Sequence, residues 1–383
     1  MSQTITDVDP FTRVKDVDVE MTVAKPQAVI GLGNMLILHQ IAPSGHATTG
    51  GNVISRTTDS ITGAQYTEYA NADAMLAAVT GKTDPVYVKA DNYFMQSAAS
   101  DRVAVLEYPS GKLSDALKAF WYYNWTFMVF DQPQLAESSP SDDAIIASNI
   151  CEANKDHFLV LQASQPAVYK PLNAQNYTIG LVHDIKEPMD AALIGSTANV
   201  KVGSVDWKFR KLKNITPERI TVQAKNAVDL MHAIAYIEVS GQGQTSEGWV
   251  LSGDYIDSLH GDLWVKTNIG NKLQKYLQDT DKVPYDQRGI NALAAIVSQV
   301  LQQAYEQGII LQQEVYDSNT GETQTTGKGD FSVRATSRST QSALDLSSRH
   351  YGGLSFIYHR SGAIHTVTVR GTVQSDTLTT SKG

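Results

Sequence analysis

This sequence predicts an α/β region followed by an α+β region, a two-domain chain carrying extended β arms at its N- and C-termini. Three observations carry that reading. Strand-like and helix-like runs alternate from Tyr66 to Gly195, which is the pattern of a largely parallel sheet with helical crossovers. Two long helical patterns and then several β-rich runs fill the second half. Segments of strand type also sit at both extremities: VKDVDVEMTV from Val14 to Val23, where Val17, Val19, Met21 and Val23 alternate with polar residues, and LSFIYHRSGAIHTVTVRGTV from Leu354 to Val373, two β-rich runs about a Ser-Gly turn. Terminal strands of this kind either tie down a chain's own ends or pair with neighbouring molecules.

The elements follow in order. Residues 1–24 form an N-terminal extended arm closed by Lys25-Pro26, and at roughly 3.3 Å per extended residue it could cross into an adjacent subunit. The outer domain spans 25–203. Within it the apolar run Ala28–Leu38 precedes a Gly/Ser/Thr-rich stretch, Pro43–Gln65, that reads as a long loop or irregular hairpin. Helices are expected over Ala72–Val79, Leu113–Tyr122 and Asp142–Lys155, the last with Ser141 as N-cap and two aspartates in its first turn. Strands are expected over Arg102–Glu107, Thr126–Phe130, Phe158–Gln162 and Thr178–Val182.

The domain boundary falls near Lys201–Asn214, where a Trp-Lys-Phe strand leads to Thr216-Pro217, a cap with proline at the first helical position. The inner domain, 204–373, then holds a helix over Val222–His232, a strand over Ala235–Val239 and a Gly/Gln/Ser turn. A helix over Asp254–Leu277 follows, weakened at Gly261 and Gly270. The clearest helix has Ile290, Leu293, Val297, Val300, Leu301 and Ala304 on one face and ends at Gly308. A strand, a polar turn over Asp317–Gly329, a strand over Phe331–Ala335 and the closing β-rich segment complete it, with 374–383 as a flexible tail. The Gly-Gln-rich stretch 241–248 and the Lys25-Pro26 junction are hinge candidates.

Composition bounds the function. With 42% apolar and 19% charged residues the 383-residue chain is of folded, globular type. Its formal charge of −9 argues against a nucleic-acid partner bound through its phosphates. Cys151 is the only cysteine, which excludes an internal disulfide and disfavours a zinc site. No apolar run reaches the roughly 20 residues of a membrane span, so membrane insertion is not expected, and the polar start lacks the pattern of a signal peptide. The chain is expected to be made and kept in a cytoplasm until something releases it.

The motifs that could carry chemistry each have a plainer reading. Gly31-Leu32-Gly33 opens like a dinucleotide fingerprint but lacks the third glycine and a following helix. Thr326-Gly327-Lys328-Gly329 has no upstream glycine spacing for a phosphate loop and reads as a solvated turn. Asp317-Ser318-Asn319-Thr320-Gly321 resembles a calcium loop with its glycine one position early and Lys328 at the twelfth, so a hairpin turn is the better reading. His350, His359 and His365 could converge on a metal from facing strands, but no supporting carboxylate is evident. Cys151 reads as a small core residue, not a nucleophile. No catalytic constellation, cofactor or metal site emerges.

The second half carries a resemblance. SVDWKFRKLKNITPE over Ser204–Glu218, Glu247-Gly248 with Gly253-Asp254-Tyr255-Ile256-Asp257, Pro284-Tyr285 with Gly289-Ile290, then Asp345, Arg349, Phe356–Tyr358 and Gly362-Ala363-Ile364-His365 leading into Val367–Gly371 follow an order that resembles contractile phage tail sheath proteins. Residues 25–200 are similar only in general layout. The resemblance implies a sheath-type structural subunit, not an enzyme, that stacks as hexameric rings in a helical homo-oligomer around a tail tube and contracts to drive the tube through a bacterial envelope, as in genome ejection or a contractile injection system. It implies an inner domain facing the tube, baseplate and tail terminator proteins as further partners, and a place in a virion tail assembled in the host cytoplasm. Against larger relatives the chain is short and lacks extra outer insertions.

The resemblance also implies arms that add strands to neighbours' sheets, the β-augmentation mode: Val14, Val17, Val19, Met21 and Val23 in the N-terminal arm, and Ile364, Val367, Val369 and Val373 in the C-terminal one. Lys266, Lys272 and Lys275 form a modest basic cluster, either a contact for an acidic tube surface or a solvated helix face. Two other readings stay open: a cytoplasmic α/β enzyme with a small-molecule cleft at its strand ends, and a non-contractile tail or baseplate protein.

Overall fold

A computed structural model describes residues 32–42, 50–135, 140–317 and 322–372. The N-terminal arm expected over 1–24, with Val14, Val17, Val19, Met21 and Val23, lies outside the described residues, as do the Lys25-Pro26 junction, Val373 and the tail from 374.

The chain opens with strand β1, Met35–Ile41, then a hairpin of β2, Val53–Thr58, and β3, Gln65–Tyr69. Helix α1, Pro85–Phe94, starts at Asp84, whose carboxylate accepts from the Val86 amide. After β4, Val103–Pro109, come α2, Leu113–Phe120, and β5, Phe127–Phe130. Helix α3, Asp142–Asn154, is capped by the Ser141 side chain accepting from the Ala144 amide and ends at Lys155 in the left-handed region. Strand β6, Phe158–Ala163, strand β7, Thr178–Val182, and helix α4, Met189–Gly195, follow. Helix α5, Val222–Leu230, leads into the hairpin of β8, Ile234–Val239, and β9, Gln242–Thr245.

These nine strands form one sheet in the order β2-β3-β4-β1-β5-β6-β7-β8-β9. From β4 to β8 every neighbouring pair is parallel, and antiparallel strands complete the sheet on either side. The central strands are predominantly apolar because helices cover both faces of such a sheet; Phe127–Phe130 and Phe158–Ala163 are buried at every position. The boundary expected at 203/204 falls inside this sheet's span, since β8 and β9 continue it beyond β7.

The remainder packs against the sheet layer through the long helix α6, Ile256–Asp279, whose His260 lies edge-on to Phe127 and Phe158, and a second long helix, α7, Gln287–Glu306, packs on α6. Gly261 does not break α6: its bare Cα faces Ile309, whose side chain would lie 2.9 Å from a Cβ, so the glycine admits a close neighbour. Strands β10, Gln312–Asp317, and β11, Glu322–Gly329, make one two-stranded ribbon. Strand β12, Phe331–Ala335, helix α8, Ala343–Ser348, and strand β13, Leu354–Tyr358, follow. The last pair, β12 and β13, forms a separate antiparallel sheet with Phe331 opposite Tyr358 and Ala335 opposite Leu354.

Several expectations need correction. The helix expected over Ala72–Val79 is a single 3-10 turn, Asp73–Met75. The Trp-Lys-Phe segment is irregular, with Trp207 buried and Phe209 at φ 65°. The helix after it is capped by Thr221, while the 216–218 segment instead bonds beside β8 through Glu218 and Ile237. The stretch 241–248, expected as a hinge, is strand β9 and its hydrogen-bonded exit, and most of the turn expected over 317–329 is β11. Gly33 serves packing: a Cβ there would stand 2.0 Å from the Ala198 carbonyl oxygen, so this glycine marks a close backbone approach, and strand β1 follows it where a nucleotide fingerprint would need a helix.

Candidate assembly surface

The β12–β13 sheet is amphipathic by alternation. Phe331, Val333, Leu354, Phe356 and Tyr358 face the core, where the apolar stripe of α7 lies, whereas Ser332, Arg334, Ser355 and Ile357 face outward. Ile357 is 67% exposed. Two strands alone are marginal in water, and this pair is held by packing on α7 and by ties at its end. Its outer edges carry no third strand among the described residues.

The tie at the end of β13 is polar. Tyr358 donates its phenolic proton to Asp262 on α6, and the Arg360 guanidinium donates to the same carboxylate and, at 3.2 Å, to Asp254. Backbone bonds extend the grip: the Leu311 amide donates to the His359 carbonyl at 2.8 Å and the Ser361 amide to the Ile309 carbonyl at 2.9 Å. Burial, then the charge of Asp262, push the Tyr358 phenol well above its ordinary pKa, so it stays protonated and a donor.

Beyond this tie, residues 361–372 form no strand and are exposed except at one position. Ile364, Val367 and Val369 are 79%, 78% and 86% exposed, so three large apolar side chains face solvent, Val367 and Val369 at the two-residue spacing of one strand face. The exception is His365. Its Nε2 lies 3.2 Å from an Asp206 carboxylate oxygen and its Nδ1 3.5 Å from Glu247, with Tyr255 edge-on at 4.9 Å between ring centroids. Glu247 also takes Lys208 at 2.8 Å and Lys225 at 3.7 Å. Burial, opposed by the Ser258 amide, raises the pKa of neighbouring Asp257, and the carboxylates of Asp206 and Asp254 add to the rise.

The other sequence-predicted residues lie apart. Lys266 is fully buried inside α6, while Lys272 donates to Gln303 at 3.1 Å and the exposed Lys275 pairs with Asp279 at 2.8 Å. The three lysines therefore make no common surface. At about 100° per residue, positions 266 and 272 stand about 120° apart around a helix. The three histidines do not converge either: His359 pairs with Asp330 at 2.7 Å, His365 sits in its carboxylate socket, and the His350 carbonyl accepts from the Tyr285 hydroxyl at 2.7 Å. Among the described residues no group of His, Cys, Asp or Glu is arranged to hold a metal ion, and no helix is long and apolar enough to cross a membrane. Cys151 is buried in α3, where burial raises its thiol pKa.

Asp262 and Arg360 were not singled out from the sequence. Asp206, Glu247, Asp254 and His365 stood within its motif-like order, and the structure brings those four into one neighbourhood with Arg360. In the otherwise β-rich 354–373 segment, the isolated cation Arg360 and the imidazole of His365 on either side of the Ser-Gly turn were the available signal.

Comparison with known proteins agrees with this geometry. Residues 256–373, from α6 through the exposed C-terminal segment, match the family model described as E217 tail sheath protein gp31-like, C-terminal domain. No curated protein matches the chain. Among solved structures, the sheath complex of the extracellular contractile injection system PVC in its contracted state is similar, with a TM-score of 0.62 at 12% identity over 97% of this chain and 99% of that one. The helical sheath of the anti-feeding prophage in its contracted state gives 0.58 at 12% identity, covering 95% of this chain and all of the other, 100%. A chain of the anti-feeding prophage baseplate gives 0.59 at 12% identity with the same two coverages, 95% and 100%. At such identity these likenesses establish a shared fold. They span both the nine-stranded sheet and the C-terminal elements, and this chain covers nearly the whole of each of these three neighbours.

Proposed function

We propose that this protein, whose residues 256–373 match a tail sheath family model, is the repeating subunit of a contractile sheath that polymerises helically around a tube and shortens to drive the tube through a bacterial envelope. The observation that carries the proposal is the exposed segment 361–372, with Ile364, Val367 and Val369 unburied, next to a two-stranded sheet with open edges. A strand's worth of apolar alternation without a sheet, beside a sheet short of strands, is complementary between copies. Supplying the arm of one copy to the edge of another forms ladder hydrogen bonds and covers the apolar face. Because donor and acceptor surfaces differ, the contact is heterologous and propagates unless a ring closes it.

In this reading the C-terminal elements form the inner part of the subunit and the first seven strands belong to the outer part. Both ends act as arms, 1–24 at the start and Ile364 to Val373 at the end, and the subunit stacks as hexameric rings. The tube, baseplate and terminator proteins of the same particle are its partners, and assembly takes place in the host cytoplasm before the particle is released. Ordering an arm costs about 1–2 kcal/mol per residue in backbone entropy, which a neighbour's edge offsets and a lone subunit cannot. Contraction proceeds as rigid-body rearrangement of subunits that stay linked through their arms. The tight association of lattice and arm needs no bond-making chemistry, in keeping with the structural character of the family.

Electron microscopy of purified full-length protein tests this. Rings or tubes are expected, and removal of residues 1–23 should leave monomers. A full-length chain that stays monomeric when concentrated at raised salt, with truncation changing nothing, overturns the proposal. A second reading, a non-contractile baseplate component, draws on the likeness to a baseplate chain. It predicts assembly without a second, wider and shorter lattice state.

A further inference from the structure

We propose that Arg360 and His365 act together to steer the C-terminal segment away from its own β13, so that the arm cannot fold back in cis as a third strand. This rests on the reading of 361–372 as an arm given to another copy.

The sequence is built for the fold that the structure avoids. LSFIYHR, Ser361-Gly362 and AIHTVTV read as a two-residue hairpin, a connection in which glycine favours the turn, and Gly362 has φ +66°. Closing so short a loop costs little entropy compared with docking on another molecule. A hairpin closed there would set Tyr358 opposite His365 and Ile357 opposite Thr366. Self-pairing would therefore be the nearest way to fill the free edge of β13. Yet among the described residues β13 pairs only with β12, and 361–372 has no strand.

Two anchors bracket the turn and oppose that closure. On its near side, Arg360 is held by Asp262 and Asp254, and the backbone at 359–361 is bonded to Ile309 and Leu311. On its far side, His365 is drawn to Asp206 and Glu247, residues of the loops that flank α5 and β9 and not of the β12–β13 sheet. Its side chain is 12% exposed, although every other residue of 361–372 is exposed. A histidine in the position opposite Tyr358 would have to leave both carboxylates. With the chain fixed at 360 and again at 365, Val367 and Val369 project into solvent, where a different copy can reach them.

The test is cross-linking within the full-length chain, diluted so that it is unassembled. Ile357→Cys and Thr366→Cys stand directly opposite each other only if the hairpin closes, and the natural Cys151 is buried. Under mild oxidation the intrachain disulfide should form slowly in this background. Adding His365→Ala or Arg360→Ala should speed it about tenfold, the change expected for losing one contact of the charge-assisted class. The pair Asp206→Asn with Glu247→Gln should act like His365→Ala, and His365→Arg, which offers N–H donors to the same two carboxylates, should remain slow. Circular dichroism verifies that each variant is folded. Fast cross-linking already in the parent, or rates unchanged by the variants, overturns the proposal. Since the readout needs no polymer, failure of the sheath reading appears separately, as absence of rings or tubes under microscopy.

Discussion

Tyr358, on the last strand, donates to Asp262, on a helix that begins at Ile256, and Arg360 closes on the same carboxylate. One acidic side chain, 13% exposed, thereby fixes where the terminal sheet ends and where the C-terminal segment departs.

Asp262→Ala should destabilise the subunit by about 1.5–3 kcal/mol, the range for losing hydrogen bonds to a charged group with a donor left behind. Urea unfolding of unassembled protein measures this. The same substitution paired with Tyr358→Phe should cost less than the sum of the two, since both remove one contact.

Acid should weaken the fold through two buried imidazoles. Burial, partly offset by a hydrogen bond to the Leu32 carbonyl, pushes the His260 pKa down to about 4, and burial likewise pushes His157 down to about 3. In the unfolded chain a histidine takes its proton near pH 6.5. Both groups therefore contribute full stability above about pH 6.5, which is lost as pH falls from there toward the folded-state values, by up to about 1.4 kcal/mol per pH unit for each proton. His260→Gln, which can still donate to Leu32, should flatten the acid side of the stability profile measured by urea titration between pH 7.5 and 4.5.

Gly33→Ala should cost about 1–3 kcal/mol as an overpacked site, because the new methyl meets the backbone of Ala198 at 2.0 Å and backbone yields less readily than a side chain. The expected readout is a lower urea midpoint at unchanged slope. An unaffected midpoint would show that the 32–34 turn can move away from Ala198.

Val367→Asp with Val369→Asp should leave the unfolding free energy of the isolated subunit within about 0.5 kcal/mol, as for exposed positions generally, since both side chains are more than three quarters exposed at 78% and 86%. The same pair should abolish polymers in electron micrographs. Loss of stability without loss of assembly would point to a different role for the segment.

Much of the parallel sheet was legible because its central strands are continuous apolar runs bounded by turn residues, as in Phe158–Ala163 and Thr178–Val182. Helices α3 and α7 announced themselves through Ser141 and through the spaced apolar face from Ile290 to Ala304. Helix α1 was missed although Asp84 and Pro85 form a cap and a first-turn proline; its Val and Tyr residues read as strand formers. The β2–β3 hairpin was legible only as one of two alternatives, a long loop or an irregular hairpin, because the Gly/Ser/Thr-rich composition before Tyr66 left its strands unmarked. In the assembly surface, the β-type, apolar character of Ile364, Val367 and Val369 could be read from sequence, but the Arg360–Asp262 contact joins residues 98 positions apart, and no local pattern encodes such a pairing. The lysine cluster failed for a geometric reason: closeness in sequence on a helix is not closeness on its surface, and Lys266 turns inward.

The staple on α6 also decides how a pull on the C-terminal end would be borne. Tension applied beyond Thr366 would load His365 first and then Arg360. Past Arg360 it would enter a rod of 24 residues, about 36 Å long at 1.5 Å per residue, that lies against the molecule's core. Traction would then be shared along a whole rigid element, leaving the small terminal sheet to hold its partner strand without being peeled apart.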